Sequence, residues 1–335
     1  MRANIFGAGM ASTHLVLDRE RMAKTGFIMG CIVAAAALLG ACAPVIAPLG
    51  VENDKPALEG DSFLTRDGLS LPLRHWDAEH PRAVIVALHG MSDYSNAFDM
   101  PAAWWASQGI TTYAYDQRGF GKAPNPGIWP GGKALSEDLS DCLEAARERH
   151  PGVPVFALGE SMGGAVILSA LADRDPPRPD GVILVAPAVW AREDMPVPYR
   201  MTLWLGAHTM PWLTVSGKGL KIWPSDNIEM LKKLSRDPLF QKQTRIDAVW
   251  GLVNLMDAAR KAPEHLGATP PILYLYGAKD QIIPRAPTVA VAKELGARAE
   301  VREYPDGYHM LLRDLDGPSI WKDVAVWIEA RRAER

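Results

Sequence analysis

Three cysteines in 335 residues are too few for a disulfide framework, and they fall in no zinc-ligand spacing. A dominant charge is missing as well: 36 Lys and Arg stand against 39 Asp and Glu, a formal net charge of −3. A balance of that kind advertises no nucleic-acid partner. Internal repeats and low-complexity tracts are lacking, and 48% hydrophobic with 22% charged residues is ordinary globular usage. Disorder, collagen and coiled coil are thereby excluded as the main state. Nothing in the pattern asks for a cofactor or a metal. What is left is room for one large domain or two small ones.

Long uncharged runs are scarce too, with one exception. Residues 25–41 (TGFIMGCIVAAAALLGA) carry no charge and follow Arg19, Arg21 and Lys24. Seventeen residues are short for a bilayer span, which needs about 20. A basic region, an apolar region and a small-residue end are the parts of a secretory signal. The end, Leu39-Gly40-Ala41-Cys42, resembles the bacterial lipobox, which implies cleavage before Cys42 and lipidation of its thiol. Asp18 and Glu20 fit such a segment poorly, so Met10 or Met22 can serve as the start. An uncleaved anchor helix is the competing reading. Either way the expected location is a bacterial envelope membrane, with 42–60 as a Pro- and Gly-bearing tether.

Past residue 60 the chain alternates. AVIVALHG, ITTYAYD, VPVFAL, GVILVAPAV, PILYLYG and ARAEVREYP read as strands, the first of them as a run buried on both faces. Helical segments are expected over 97–108, 136–150, 162–172 and 320–331. Strand–helix alternation predicts an α/β fold with a mostly parallel sheet flanked by helices, preceded by a hairpin over 61–76 that turns at Asp67-Gly68. Between about 190 and 269 the alternation stops. A Met-, Leu- and Trp-rich stretch there reads as a helical cap inserted after the fourth parallel strand of a 61–335 domain, with most of those side chains forming the cap's own core.

The chemistry gathers at strand ends. Gly159-Glu160-Ser161-Met162-Gly163 is G-x-S-x-G between a buried strand and a helix, the setting a nucleophile elbow requires. A serine hydroxyl needs a base. Of eight histidines, His309 follows the last strand and is the best candidate, whereas His75, His80 and His150 lie in polar connections and are expected to be solvated. His89 reads as a hydrogen-bonded structural residue. Asp280, after the strand PILYLYG, is the carboxylate to orient the imidazole. Asp257, Asp314 and Asp316 are weaker alternatives, and Asp306 reads as structural. The amides of Met162 and of Met91, in the loop after the first buried strand, are the expected oxyanion donors.

These segments resemble the α/β-hydrolase superfamily, in its monoacylglycerol lipase/lysophospholipase-like (serine aminopeptidase S33-type) branch. The matching pieces are HGM at 89–91, YDQRGFGKA at 115–123, GESMGG, GAKD, GYH and Ser235-Arg236-Asp237-Pro238-Leu239. Asp116 and Arg118 are then loop-pinning residues. Glu160 departs from the branch, which usually carries His there. The resemblance implies a serine ester hydrolase acting on lipid acyl esters, monoacylglycerol or lysophospholipid, without a cofactor. A serine aminopeptidase of the same fold and a catalytically silent binding lipoprotein remain the alternatives.

Overall fold

A computed structural model describes residues 43–267 and 270–334. The expected signal segment and Cys42 lie outside the described residues. One large sheet organises the fold. Its strands are β1 (Ala57–Glu59), β2 (Ser62–Leu64), β3 (Ser70–Trp76), β4 (Ala83–Leu88), β5 (Ile110–Tyr115), β6 (Val155–Glu160), β7 (Gly181–Val185), β10 (Ile272–Gly277) and β11 (Ala299–Tyr304), with the short β8 (Thr214–Val215) and β9 (Thr244–Arg245) forming a separate ribbon. The order across the sheet is β1-β2-β3-β5-β4-β6-β7-β10-β11. The three leading strands are antiparallel to their neighbours, and the rest are parallel. Every residue of β4, β5, β6, β7 and β10 is buried, which is why these strands read as continuous apolar runs.

Helices cover both faces. The chain adds α1 (Asp99–Ser107), α2 (Gly132–Arg149), α3 (Met162–Leu171), α4 (Val197–Thr209), α5 (Ile228–Arg236), α6 (Ile246–His265), α7 (Arg285–Leu295) and α8 (Gly317–Ala333). One core joins α2, α3, α6 and α7 to one sheet face, and a second joins α1 and α8 to the other. The helix α7 lies outside the helical segments expected from the sequence. The six core strands and four helices expected from the sequence fall within a few residues of β4–β7, β10, β11, α1, α2, α3 and α8, whereas β1, β8 and β9 lie outside that expectation.

Two expected boundaries meet structure of another kind. In the stretch read as a tether, Ile46 bridges Trp129, Ala47 N–H donates to the Trp129 carbonyl at 2.9 Å, and β1 joins the sheet edge. Pro and Gly there shape a bound strap. Within 190–269, α6 buries Ala248, Gly251, Leu255 and Ala259 in the sheet core. The period visible in the sequence is Ile246, Val249, Trp250 and Val253, of which Val253 is buried in that same core. At Gly251 a Cβ would stand 2.4 Å from the Trp129 ring, so this helix packs closely on the body.

Arg118 ties the hairpin to α2. Its guanidinium takes Asp67 at 2.7 Å and Asp138 at 2.8 Å, all three side chains being largely buried. Asp116 accepts the amides of Ser95 at 3.0 Å and Lys122 at 2.8 Å. Both residues pin loops, as the motif around them suggested.

Candidate active site

Ser161 occupies the turn between β6 and α3 at φ +54° and ψ −114°. A non-glycine residue in that region is strained by roughly 1–3 kcal/mol and persists only when its surroundings impose it. They do so here. Its N–H donates to the Val185 carbonyl and its carbonyl accepts from Ala188, both at 2.9 Å, which lashes the turn to the end of β7. The flanking glycines are demanded by contact: a Cβ on Gly159 would meet the Gly163 carbonyl carbon at 2.4 Å, and one on Gly163 would meet the Leu88 oxygen at 2.2 Å. Larger residues would push the helix off the sheet.

Asp280 and His309 meet because the turns after β10 and β11 are laced together. Ala278 and Lys279 N–H groups donate to the Tyr304 and Gly307 carbonyls, each at 2.9 Å. Asp280 Oδ1 accepts the amides of Ile282 at 2.7 Å and Ile283 at 3.1 Å, and Oδ2 lies 2.8 Å from His309 Nδ1. A carboxylate can only accept, so Nδ1 carries the proton and Nε2 keeps its lone pair. Burial lowers the imidazole's affinity for a proton most strongly. The charge and hydrogen bond of Asp280, joined by the charge of Glu160, outweigh it and raise His309 above 6.5.

The other candidates are spoken for. Asp257 receives the Arg192 amide at 2.7 Å, Asp314 the Ser225 hydroxyl at 2.6 Å, and Asp316 the Ser319 hydroxyl at 2.6 Å. Asp306 forms a surface pair with Lys279 at 2.6 Å. His89 is wholly buried: its Nδ1–H donates to the Gly90 carbonyl at 2.8 Å and its Nε2 accepts the Gln117 amide at 3.0 Å, while burial keeps it neutral. That matches the structural role expected of it. His75 and His150 are not merely solvated, since His75 pairs with Asp77 at 2.7 Å and His150 with the Tyr113 hydroxyl at 2.8 Å.

The loop carrying Met91 presses on the serine, because a Cβ on Gly90 would lie 3.2 Å from Ser161 Cβ. Among the described residues, neither the Met91 nor the Met162 amide donates a hydrogen bond. Two free donors thus border the serine from separate chain segments. The Asp237 segment fixes the loop from outside, with the Tyr94 hydroxyl donating to Asp237 at 2.7 Å and the Gln241 amide to the Ser92 carbonyl at 2.8 Å.

One cluster went unread in the sequence. Arg313, four positions past His309, is buried with Nη2 at 3.0 Å from Glu160 and Nη1 at 2.7 Å from Asp93. It joins the histidine loop to the elbow and to the Met91 loop. Burial pushes the Glu160 carboxyl up against the opposing pull of Arg313. The only available signals were a lone cation in the apolar string HMLLRDL and the unusual acid at 160. Neither names its partner.

The sheet order, the strained serine and the carboxylate-bound histidine define an α/β-hydrolase. The profile described as "Serine aminopeptidase, S33" (Hydrolase_4) matches residues 79–316, and the chain belongs to that family of hydrolases. It is 27% identical over 289 residues to a monoacylglycerol lipase of Mycolicibacterium smegmatis, covering 80% of this chain and 95% of the relative. It is 24% identical to the human monoglyceride lipase, covering 81% and 90%. Among solved structures, the Saccharomyces cerevisiae monoglyceride lipase matches with a TM-score of 0.69 at 18% identity over 85% of this chain and 99% of that one. The Paleococcus ferrophilus monoacylglycerol lipase gives 0.65 at 21%, over 78% and 99%. Those two likenesses bear on the fold.

Proposed function

We propose that this protein is a serine ester hydrolase acting on monoacyl lipid esters, monoacylglycerol or lysophospholipid. The observation that carries the reading is the buried Asp280–His309 pair, 2.8 Å apart, on the sheet edge that also presents Ser161 in its strained turn. In the proposed cycle His309 Nε2 takes the Ser161 proton as Oγ attacks the acyl carbonyl. Asp280 holds the tautomer and stabilises the imidazolium that forms. The Met91 and Met162 amides receive the oxyanion, an interaction of about 3–4 kcal/mol per donor in related chemistry. His309 then protonates the leaving alcohol, and water attacks the acyl-enzyme by the reverse route.

The curated relatives named for monoacylglycerol hydrolysis support the substrate class. The family's description favours an amide-cleaving alternative, which would need free carboxylates to hold a substrate amine. Glu193 and Asp194, the acids at the start of the cap, face the Arg260 guanidinium at 3.4 and 3.5 Å instead. Lipid anchoring at Cys42 in a bacterial envelope belongs to the same proposal and is consistent with a lipid substrate. Turnover of monoacylglycerol, lysophospholipid, short p-nitrophenyl esters and aminoacyl amides, with Ser161→Ala as control, tests it. Preferred hydrolysis of the monoacyl lipids is expected, and faster amide cleavage would overturn the reading.

A further inference from the structure

The apolar side chains expected to form the cap's own core point outward, Trp204, Trp212 and Trp223 each being more than half exposed. The helix α5 (Ile228–Arg236) in the middle of the cap likewise buries only Leu234. It is nonetheless well made as a helix. Asn227 caps it by accepting the Met230 amide at 3.1 Å, with Glu229 in the first turn and Lys233 and Arg236 in the last, as the helix dipole favours. A cavity of about 300 Å³ is lined by Met230, Lys233 and Leu234 of α5 and, on its far side, by Met100 and Arg313. Packing on the body therefore does little to place α5. Its two ends do.

The N-terminal end is laced to the histidine loop. Asn227 Nδ2 donates to the Arg313 carbonyl at 3.0 Å, and the Leu315 amide donates to Asp226 at 2.8 Å. Just upstream, the Pro224 carbonyl accepts the Met310 amide at 2.8 Å, and the Ser225 hydroxyl donates to Asp314 at 2.6 Å. The other oxygen of Asp314 accepts the Tyr308 amide at 2.7 Å. His309 is thus held by the amides on both sides of it, and both lines of bonds end in residues 224–225.

The C-terminal end is laced to the loop of Met91. Asp237, the first residue past α5, accepts the Leu239 amide at 2.9 Å with one oxygen and the Tyr94 hydroxyl at 2.7 Å with the other. Two bonds further on, the Gln241 amide donates to the Ser92 carbonyl at 2.8 Å. Ser92 stands at φ +70°, a conformation that a non-glycine residue keeps only where its surroundings impose it. The residue directly after Met91 is therefore fixed from the cap.

We propose that α5 is a strut that sets the spacing between these two loops, with Asn227 and Asp237 as positioning residues for His309 and for the Met91 amide. Nine residues at 1.5 Å rise make a rigid rod about 13 Å long. Acyl transfer needs the base and the oxyanion donor in place together, and a misplacement of about 1 Å costs on the order of 10²-fold in rate. The role rests on the serine-hydrolase reading above. A strut works only while both ends hold, so releasing one end costs nearly as much as releasing both.

That signature can be measured on the full-length chain. Asn227→Ser keeps an oxygen to cap the helix but loses the reach to Arg313, and Tyr94→Phe removes the hydroxyl that Asp237 accepts. Both variants and their combination are assayed with a p-nitrophenyl ester, with rates normalised to the Ser161 sites that a fluorophosphonate titrates. Affinity for an alkyl trifluoromethyl ketone, whose hemiketal oxygen takes the oxyanion's place, is measured alongside. Each single variant should lower kcat roughly 10-fold with KM little changed and weaken the ketone by a similar factor. The double variant should be no more than about twofold worse than the weaker single. Lys232→Gly, which loosens the exposed middle of α5 without touching either contact, should lower kcat too, while Lys232→Ala should behave as the parent. Effects that multiply to roughly 100-fold in the double variant, single variants without effect, or a harmless Lys232→Gly overturn the strut and leave the hydrolase reading standing. A parent chain that takes no fluorophosphonate at Ser161 overturns the hydrolase reading, and the strut's role with it.

Discussion

Arg313 and Glu160 lie 153 positions apart in the chain, and their side chains meet at 3.0 Å beneath the site. The guanidinium is shared with Asp93, so one buried cation neutralises acids from two segments that border Ser161, the end of β6 and the loop after β4. Removing it strands both. Arg313→Met should cost about 3–5 kcal/mol of stability, the usual effect of breaking rather than replacing a buried ion pair. Arg313→Met combined with Glu160→Met should recover part of that loss. Denaturant midpoints of the single and double variants check this, and a double variant no more stable than the single would contradict the pairing.

The same acid should be visible in the pH profile. His309 must be neutral to accept the serine proton, so kcat/KM falls as pH drops through its pKa. That pKa is raised above 6.5, by Asp280 and by Glu160 against the opposing burial. The acid limb should therefore have its midpoint above the ordinary histidine value. Glu160→Gln removes one of the negative charges that favour the imidazolium, and the limb should move to lower pH. A shift to higher pH, or none, would remove Glu160 from the electrostatics of the site.

Strain and chemistry can be separated at residue 161. Glycine tolerates φ +54° without a Cβ penalty, so Ser161→Gly should abolish turnover and leave stability unchanged or raise it by about 1 kcal/mol. Calorimetric melting alongside an ester assay would check both halves. A variant that melts well below the parent would mean the turn is held by the hydroxyl.

Close approach makes Gly163 the opposite case. Its Cβ would stand 2.2 Å from the Leu88 oxygen, a backbone atom with no rotamer to escape into. Gly163→Ala should destabilise by about 1–3 kcal/mol or more through overpacking, and lower activity as the elbow shifts. Tolerance of alanine at full activity would mean that α3 can ride off the sheet without cost.

What the sequence disclosed follows the range of the interactions involved. Buried parallel strands appear as short apolar runs, and G-x-S-x-G is legible because its turn needs small residues within five consecutive positions. His309 and Asp280 could be named because both follow strands of one sheet. The contacts that finish the site are long-range pairings, such as Arg313 with Glu160 and Tyr94 with Asp237, and one sequence carries no record of which partner a buried charge chooses. Composition misled at the cap for a related reason. A run rich in Met, Leu and Trp reads alike whether its neighbours are its own core or a solvent-facing surface, and exposure decides between them. The edge strand β1 was hidden by its three-residue length.

The proposed cycle makes Ser161 the acylated nucleophile, driven by His309 and Asp280. Its most direct measurement is peptide-resolved mass spectrometry of the folded protein after reaction with a fluorophosphonate. A single adduct is expected on the peptide containing Ser161, absent in Ser161→Ala and strongly slowed in His309→Ala. A folded protein that takes no adduct, or takes it on another residue, would remove Ser161 from the role of nucleophile.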